Sequence, residues 1–271
     1  MEADQDCGNV LRQLTLQEIQ TEAYRMLCEF DDVCASSGLT YSLAYGTLLG
    51  AVRHAGFIPW DDDIDIVMTR PEYDRLITLA PRMNECRLVE GGNGCLWVKI
   101  VSERTSLVDR SMKKSNCDGG VFIDVFPLDG VRSRLHYQVC RFLRGVRNSA
   151  YVIDFENCEW VSHKGLRRVA GIAGRIIPER SYDKLIYRFA TACPKKGTQQ
   201  IANMFSAYGY EKECTPINGM RHRRFVDFEG RSFPVLFDSE QYLERVYGKN
   251  WSVPVERPRQ DHGEYYWIKH R

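Results

Sequence analysis

Residues 46–68 of the 271-residue chain read GTLLGAVRHAGFIPWDDDIDIVM. A turn of small residues precedes four carboxylates, Asp61, Asp62, Asp63 and Asp65, which run into a β-branched apolar stretch. Two carboxylates about 4 Å apart repel each other by roughly 4 kcal/mol at the effective dielectric of a partly buried site. We therefore expect a cation among them, most simply a hard divalent ion such as Mg²⁺ that is bound together with substrate phosphates.

The acids alternate with isoleucines in a way that is typical of a β-strand. Successive side chains of a strand point to opposite faces, so Asp63 and Asp65 share one face. Ile64 and Ile66 then enter the core from the other face. A solvated acidic turn would not need these buried isoleucines, so the pattern favours a metal-binding pair of carboxylates.

A third acid lies in a strand predicted for residues 121–126. Asp124 is the single charged residue of the run GVFIDVFP, and an unpaired carboxylate would be costly to bury there. A metal, a role as a base or a salt bridge must compensate it, and Lys99 is the candidate for that salt bridge.

Capping signals and periodicity predict the other elements. Thr15 and Glu18 match a capping box, and apolar residues at helical spacing continue from there to a glycine stop at Gly38. Further helices are predicted at residues 48–53 and 71–83, and strands at 40–44, 63–68, 96–101 and 121–126.

The composition is that of an ordinary globular enzyme. Lys and Arg (37) nearly balance Asp and Glu (36), so net charge gives no reason to expect nucleic acid as a partner. The first residues lack the features of a secretory signal, and no apolar run reaches the roughly 20 residues of a membrane-spanning helix. We therefore expect a cytoplasmic protein whose ten cysteines form no disulfides.

The segment from about residue 132 to 188 is predicted to be helical and is locally basic. A solvated helix face is the simplest interpretation. The sharper hypothesis is a peripheral contact with anionic lipid or lipid-linked glycan at the inner membrane leaflet. The basic residues are Arg132, Arg134, Arg141, Arg144, Arg147, Lys164, Arg167 and Arg168.

The motif from Tyr45 to Asp65, YGTLLGAVRHAGFIPWDDDID, resembles the LicD family of phosphocholine transferases, to which fukutin-type phosphotransferases are related. The Gly-Thr turn, the paired Asp-x-Asp and the third acid are similar to the wider nucleotidyltransferase fold. Two further blocks agree, at residues 120–129 and 228–248. The resemblance covers roughly residues 17–262.

The resemblance implies an α/β (α+β) fold: a nucleotidyltransferase-like core with a mixed β-sheet flanked by helices, plus a helical elaboration. Residues 1–14 would form a flexible amino terminus and residues 15–271 a single catalytic domain. The core would comprise about residues 15–130 with a carboxy-terminal hairpin at about 224–236, and the elaboration about residues 132–205.

The family also implies roles for individual residues. Asp63 and Asp65 match its paired metal-binding acids, and Asp124 matches the third acid, which completes the metal site or takes the acceptor proton. Gly46 and Thr47 match the turn at a helix start where backbone N–H groups meet phosphate oxygens, a use that the helix dipole supports. The implied cofactor is Mg²⁺, with Mn²⁺ as the alternative.

The implied reaction is phosphoryl transfer. A hydroxyl of a cell-surface glycan, a teichoic acid precursor or a lipid-linked glycan attacks the phosphorus that carries choline in CDP-choline or a similar CDP-alcohol, and CMP leaves. Arg53, His54 and Lys99 are candidates to neutralise phosphate oxygens, although Arg53 and His54 could equally cap the short helix. Choline would need an aromatic cage, whose candidates are Trp60, Trp97, Tyr265, Tyr266 and Trp267.

Other activities share parts of the pattern. A metal-dependent glycosyltransferase that uses a nucleotide sugar would leave the Gly-Thr block unexplained, and a catalytically inactive scaffold would need no metal. A haloacid-dehalogenase-type phosphatase would need an apolar strand before Asp63, where the chain has Pro-Trp-Asp-Asp. An EF-hand-like calcium loop would run from Asp61 to Glu72, but Ile66 stands where that loop requires glycine.

Overall fold

The computed structural model shows helices packed with one large mixed β-sheet and one smaller antiparallel sheet, which confirms the expected α/β (α+β) class. The α-helices with described bounds are α1 (Leu16–Ser37), α2 (Tyr45–His54), α3 (Arg70–Leu79), α4 (Arg134–Arg147), α5 (Glu179–Ala190), α6 (Tyr210–Glu213) and α7 (Ser239–Tyr247), with a π-helix at Asn148–Val152 and a 3₁₀-helix at Ile217–Met220. The structure describes residues 10–90, 95–108, 119–152, 165, 169, 171, 172, 174–176, 178–193, 199–220, 223–236, 238–254 and 263–268.

The larger sheet has the strand order β10-β11-β2-β3-β7-β5-β4, and β8 joins it beside β7 and pairs with β9. Strands β3 and β7 are parallel, and β5 runs antiparallel to β7. Strand β2 runs antiparallel to β3 but parallel to β11. The strands are β1 (Val10–Gln13), β2 (Ser42–Leu43), β3 (Ile64–Thr69), β4 (Cys86–Val89), β5 (Val98–Ser102), β6 (Thr105–Val108), β7 (Phe122–Gly130), β8 (Gln200–Ala202), β9 (Thr215–Pro216), β10 (Arg223–Phe228), β11 (Arg231–Leu236) and β12 (Glu264–Ile268).

Helix α1 begins and ends where the sequence predicts. The Thr15 side chain accepts a hydrogen bond from the Glu18 N–H group, and the Glu18 carboxylate accepts one from the Thr15 N–H group. Gly38 ends the helix in the left-handed conformation, with φ 62°, which glycine adopts at little cost. The buried face of α1 packs into the main core with the sheet.

A short strand lies within the amino-terminal segment that was predicted to be flexible. Residues 10–13 lie within the predicted flexible segment but form β1, which pairs with β12, and β12 pairs with β6 on its other side. Pairing with a strand about 250 residues away along the chain leaves no local signal in the sequence. Residues 1–9 lie outside the described part of the chain.

Two helices differ from the prediction at their ends. Helix α2 begins at Tyr45, so Gly46 and Thr47 lie inside its first turn and not in a turn before it. Helix α3 ends at Leu79 and not at Met83, because Pro81 follows and a proline disfavours helical backbone in the residue before it.

The segment predicted as a helical elaboration contains α4 and α5 together with strand β8. These two helices build a second core with residues that include Tyr137 and Ile186. Of the basic residues predicted in this segment, Lys164, Arg167 and Arg168 lie outside the described residues. The predicted carboxy-terminal hairpin corresponds to β10 and β11.

Two general features of the chain accord with its sequence. No disulfide joins the cysteines that the structure describes, namely Cys28, Cys34, Cys86, Cys95, Cys140, Cys193 and Cys214. Within the described ranges, every helix is too short or too polar to cross a bilayer.

Candidate active site

The three acids that the sequence singled out lie together on neighbouring strands. Strands β3 and β7 pair in a register that sets Asp65 opposite Asp124, and Asp63 directly precedes β3. Carboxylate oxygens of all three side chains lie within 4.8 Å of one another. Ile64 and Ile66 are fully buried on the other face, as the alternation predicts. This cluster is called the acid trio below.

Mutual repulsion acts on the acid trio. The pKa of Asp65 lies well above its usual value because the side chain is buried and because Asp63, Asp124 and Asp61 add negative charge around it. A nearby cation would reverse this effect, since it favours the ionised carboxylates. The trio offers oxygen ligands alone, and such a donor set suits Mg²⁺ or Mn²⁺.

Asp124 also has the salt bridge that the sequence offered as an alternative. Lys99 lies opposite Asp124 on β5, and its Nζ is 2.8 Å from Asp124 Oδ1. Trp97 Nε1 donates to the same oxygen at 2.7 Å. Burial alone would lower the pKa of Lys99, but the charge of Asp124 raises it. Both contacts use Oδ1, so Asp124 can hold Lys99 in place and still present Oδ2 to a cation.

The first turn of α2 contacts two of the acidic residues, Asp61 and Asp65. A Cβ atom at Gly46 would lie 2.7 Å from Asp61 Oδ2, so only glycine lets this carboxylate approach the helix. The buried Thr47 hydroxyl accepts a hydrogen bond of 2.8 Å from the Asp65 N–H group. The Thr47 side chain therefore positions strand β3. The expected phosphate contact at Gly46 and Thr47 remains a prediction for their backbone N–H groups.

Comparison with known proteins agrees with this geometry. The family model described as LicD/FKTN/FKRP, nucleotidyltransferase domain, matches residues 38–144, which include the acid trio and the first turn of α2. The lipopolysaccharide cholinephosphotransferase LicD of Haemophilus influenzae is 30% identical over 266 residues, which cover 93% of this chain and 97% of that protein. The chain belongs to the LicD family.

Shorter similarities link this LicD-family chain to two further proteins. An uncharacterised protein of Rickettsia prowazekii is 34% identical over 62 residues, which cover 23% of each chain. An uncharacterised protein of Rickettsia typhi is 36% identical over 85 residues, which cover 27% of this chain and 28% of that protein.

Arg53 and His54, which were predicted to contact phosphate, lie at the carboxy-terminal end of α2. Both residues lie in its last turn, at the opposite end from Gly46. Arg53 Nη1 donates to the Trp251 carbonyl oxygen at 3.3 Å, and Arg53 Nε lies 2.9 Å from His54 Nε2. Burial and the neighbouring Arg53 lower the pKa of His54. Their place in the last turn is compatible with the capping alternative, and the phosphate contact of both residues stays a prediction.

Tyr45 was not identified from the sequence as a functional residue. It opens α2 with φ 44°, a left-handed conformation that is unfavourable for a bulky side chain. Its hydroxyl lies 3.0 Å and 3.2 Å from the two carboxylate oxygens of Glu213 and accepts a hydrogen bond of 3.0 Å from Asn203 Nδ2. Its ring packs edge-on against Phe126 and is stacked with Tyr208. These contacts hold the strained residue that leads into Gly46 and Thr47.

Glu213 is the buried anchor of this network. Burial raises its pKa to about 7, although hydrogen bonds from Ser206 and Tyr45 favour the ionised form. In the sequence, Glu213 lies in a polar segment that resembles a solvated surface, and it is 168 positions from Tyr45. Only the packing of α6 against the core reveals that the two residues meet.

The structure distinguishes among the aromatic residues proposed for a choline cage. Trp97 contacts the acid trio through its hydrogen bond to Asp124, and the centroid of its ring lies 4.8 Å from the centroid of the Phe126 ring. Tyr265, Tyr266 and Trp267 belong instead to β12, in the smaller sheet. Trp60 is half-buried against the main core.

The calcium-loop alternative does not fit the structure. The loop would need Glu72 as its final ligand, but Glu72 lies on α3 and accepts a hydrogen bond from the Thr40 N–H group at 3.0 Å. Glu72 also pairs with Arg75 at 3.0 Å. Residues 64–69 form a strand and not the sharp turn of an EF-hand.

Proposed function

We propose that this LicD-family protein is a metal-dependent phosphotransferase. It moves phosphocholine, or a related phospho-alcohol, from a CDP-linked donor such as CDP-choline to a hydroxyl of a cell-surface glycan. The relative from Haemophilus influenzae, named as a lipopolysaccharide cholinephosphotransferase, supports this assignment because the similarity extends over nearly the whole of both chains. The observation that carries the proposal is the acid trio, whose three carboxylates converge on one position.

The acid trio fits a hard divalent cation, and we propose Mg²⁺ with Mn²⁺ as the alternative. Asp63, Asp65 and Asp124 would supply oxygen ligands, and a bound cation would offset the burial and the neighbouring acids that raise the pKa of Asp65. When bound, such an ion neutralises charge on the transferring phosphoryl group and orients the donor.

The protein residues then have distinct tasks. The first turn of α2 presents its backbone N–H groups to donor phosphate oxygens. Among the described residues, no side chain caps these N–H groups at Ala44. Lys99, held by Asp124, contributes a fixed positive charge next to the reacting phosphate. Such chemistry depends on position and charge neutralisation more than on covalent catalysis.

In the reaction, the acceptor oxygen forms a bond to the phosphorus that carries choline, and the bond from that phosphorus to the CMP oxygen breaks. The acceptor hydroxyl loses its proton as it attacks. Asp124 is the carboxylate that we assign to receive this proton or to complete the metal site, and Trp97 fixes its orientation.

The name of the relative supports a proposal for the class of acceptor. We propose a lipopolysaccharide or teichoic acid precursor as the acceptor, modified on the cytoplasmic side of the inner membrane where a lipid-borne glycan is accessible. A peripheral attachment of the enzyme to that membrane would bring the two together.

A ligand panel tests the donor assignment. Thermal unfolding would be measured with Mg²⁺ and CDP-choline, CDP-ribitol, CDP-glycerol, ATP or UDP-sugars. A ligand at about 100 times its dissociation constant stabilises the native state by roughly 2.7 kcal/mol. We expect the largest stabilisation with CDP-choline.

The variant Asp63→Asn should lose the stabilisation by CDP-choline. The matched control is Asp227→Asn, because Asp227 is an exposed acid on β10, away from the acid trio. A preference for UDP-sugars would support a glycosyltransferase instead. No stabilisation by any ligand of the panel would contradict the proposal and favour an inactive scaffold.

A further inference from the structure

A cavity lies at the carboxyl ends of strands β3 and β7. Its volume is about 400 Å³, within the range of roughly 300–1,000 Å³ that is typical of pockets for small ligands. Thr69 at the end of β3, Leu128 near the end of β7, and Arg70 and Pro71 at the start of α3 all line it. The carboxyl ends of parallel strands are a recurrent place for ligands in α/β sheets. We call this space the strand-end cavity.

The strand-end cavity and the acid trio lie along the same face of the sheet. Side chains of a strand alternate between its two faces, so Thr69 shares a face with Asp65, and Leu128 shares one with Asp124. The register of β3 with β7 sets Thr69 opposite Leu128, as it sets Asp65 opposite Asp124. From Asp65 to Thr69 the strand advances by four residues, which corresponds to roughly 13 Å. The cavity is therefore separate from the acid trio.

A buried ion pair forms a polar part of the cavity wall. Arg70 and Asp129 both line the cavity and are only 9% and 1% exposed. Arg70 Nε donates to Asp129 Oδ1 at 2.7 Å, and Arg70 Nη2 donates to Asp129 Oδ2 at 2.6 Å. A contact through two parallel hydrogen bonds fixes the orientation of both groups. The cavity therefore has a rigid polar wall.

The third nitrogen of the Arg70 guanidinium, Nη1, makes no hydrogen bond to any residue that the structure describes. It lies 3.6 Å from Asp74 Oδ1, which is too long for a hydrogen bond. Asp74 also lines the cavity, and its side chain is 47% exposed. A hydrogen-bond donor and an acceptor therefore lie close together in the cavity wall.

This pattern of charge selects among classes of ligand. A phosphate would meet the carboxylates of Asp74 and Asp129, and an ammonium group would meet the Arg70 guanidinium. A hydroxyl group suits both kinds of neighbour, because it can accept from Arg70 Nη1 and donate to Asp74. The wall also contains the hydroxyl groups of Thr69 and Thr191. The polar wall therefore favours an uncharged ligand that carries several hydroxyl groups.

The remaining wall is partly apolar. Leu128, Ile201 and Ile217 line the cavity together with the polar residues. A sugar ring matches such a mixed wall, because its C–H groups can pack against aliphatic side chains while its hydroxyl groups form hydrogen bonds.

We propose that the strand-end cavity binds a sugar residue of the acceptor glycan, beyond the sugar that receives the phosphocholine. The inference rests on the proposed function, which makes a glycan the acceptor. Contacts with a remote part of a substrate contribute binding energy that positions its reacting group. The cavity thus holds the glycan while its reactive hydroxyl lies at the acid trio.

Calorimetry with the full chain tests the proposal directly. The probe is the oligosaccharide that deacylation releases from lipopolysaccharide. EDTA is present and CDP-choline is left out, so that neither a metal nor the donor contributes to binding. We expect the wild type to bind the oligosaccharide. Asp63→Asn should bind it equally well, because the cavity lies outside the acid trio.

Two variants with partly or fully exposed side chains probe the cavity without disturbing its buried ion pair. Asp74→Ala removes the acceptor, and Thr191→Trp fills the cavity. Each should weaken oligosaccharide binding and raise the KM for lipopolysaccharide at least roughly tenfold, as expected for the loss of one or more hydrogen bonds. Thermal unfolding and the KM for CDP-choline should stay unchanged.

Each variant has a matched control. Asp227→Ala controls for Asp74→Ala, because Asp227 is an exposed acid on β10 that does not line the cavity. Thr21→Trp controls for Thr191→Trp: both threonines are exposed, and each donates to the carbonyl oxygen four residues earlier, that of Gln17 or Tyr187. Both controls should bind the oligosaccharide as the wild type does.

Three results would overturn the inference. The first is absence of oligosaccharide binding by the wild type, and the second is equal binding by the wild type and both cavity variants. The third is an unchanged KM for lipopolysaccharide in variants that have lost oligosaccharide binding, because the cavity would then not serve the acceptor. Transfer from a UDP-sugar in place of CDP-choline would contradict the proposed function instead, and glycan binding in the cavity would persist.

Discussion

Single carboxylates have different roles in this protein according to their neighbours. Asp65 and Glu213 are both ionisable groups whose burial raises the pKa, but the causes beyond burial differ. Asp65 faces other acids, as a metal ligand would. Glu213 faces hydroxyl groups, as expected of a residue that holds a backbone turn in place.

Replacement of Asp65 by asparagine should separate stability from metal binding. In EDTA the Asp65→Asn protein should be no less stable than the wild type, because the change removes a charge that its neighbours disfavour. With saturating Mg²⁺ the wild type should gain stability and the variant should not. Thermal unfolding with and without Mg²⁺ measures both. A variant that retains the full gain from Mg²⁺ would contradict the assignment of Asp65 as a ligand.

Replacement of Glu213 by glutamine should change the pH dependence of stability. A pKa raised from 4.5 to about 7 means that the native state binds the proton more tightly than the unfolded chain. This contribution favours folding fully below pH 4.5 and is lost as pH rises from there through about 7. Glu213→Gln lacks this titration, so its free energy of unfolding relative to that of the wild type should rise by roughly 3 kcal/mol across that range.

Denaturant unfolding at several pH values measures the change at Glu213. Glu211→Gln is the matched control, because Glu211 lies on the same helix but is 68% exposed. A difference between wild type and Glu213→Gln that stays constant with pH would contradict the account.

At the scale of elements, the junction of α2 with β3 determines the geometry of the site. The first turn of α2 contacts Asp61 through Gly46 and the backbone of Asp65 through Thr47. Glycine is otherwise a poor helix residue, so its presence in this turn reflects the close approach and not the helix.

A pair of glycine substitutions tests this interpretation. Gly145→Ala on α4 should stabilise the protein by about 0.5–1 kcal/mol, because no atom lies within 4 Å of the added methyl group. Gly46→Ala should not stabilise the protein in this way and should weaken metal-dependent activity, because the methyl group would displace the Asp61 carboxylate. Unfolding free energies and the Mg²⁺ dependence of turnover measure the two effects. Equal unfolding free energies and equal Mg²⁺ dependence of turnover in the two variants would contradict the role of Gly46.

Local patterns in the sequence predicted the elements that depend on local chemistry. The capping box at Thr15, the stop at Gly38 and the alternation around Asp65 all appear where expected. The start of α2 was predicted three residues too late, because the contacts that hold Tyr45 in a strained conformation come from distant parts of the chain. Glu213 was missed for the same reason.

The resemblance to a family predicted the acid trio as a set, and the register of β3 with β7 explains how the chain brings its members together. The expected phosphate contacts of Arg53 and His54 could not be judged from sequence, because the direction of a helix relative to the site is a tertiary property. Their position in the last turn of α2 follows from where that helix lies.

At the scale of the whole molecule, the first and last described strands, β1 and β12, pair in the smaller sheet. Strand β12 lies between β1 and β6, and its Tyr265 is 1% exposed in the main core. The carboxy-terminal strand therefore anchors the amino-terminal strand, and damage to it should lower the stability of the whole fold.

Replacement of Tyr265 by alanine tests this dependence. The substitution leaves a cavity in the core and should lower the free energy of unfolding by roughly 3–5 kcal/mol. Tyr266→Ala is the matched control, because Tyr266 is only half-buried and adjacent in the same strand, so its loss should be about 1 kcal/mol. Denaturant unfolding measures both. Equal losses would contradict a structural role for β12 in the core.

The most direct test of the central claim is transfer of labelled phosphocholine from CDP-choline to lipopolysaccharide by the purified protein. We predict transfer with stoichiometric release of CMP in Mg²⁺ or Mn²⁺, loss of transfer in EDTA, and at least roughly a thousandfold reduction in Asp63→Asn, which corresponds to about 4 kcal/mol. Asp227→Asn should transfer at the wild-type rate. Undiminished transfer in EDTA or by Asp63→Asn would contradict a mechanism based on the acid trio.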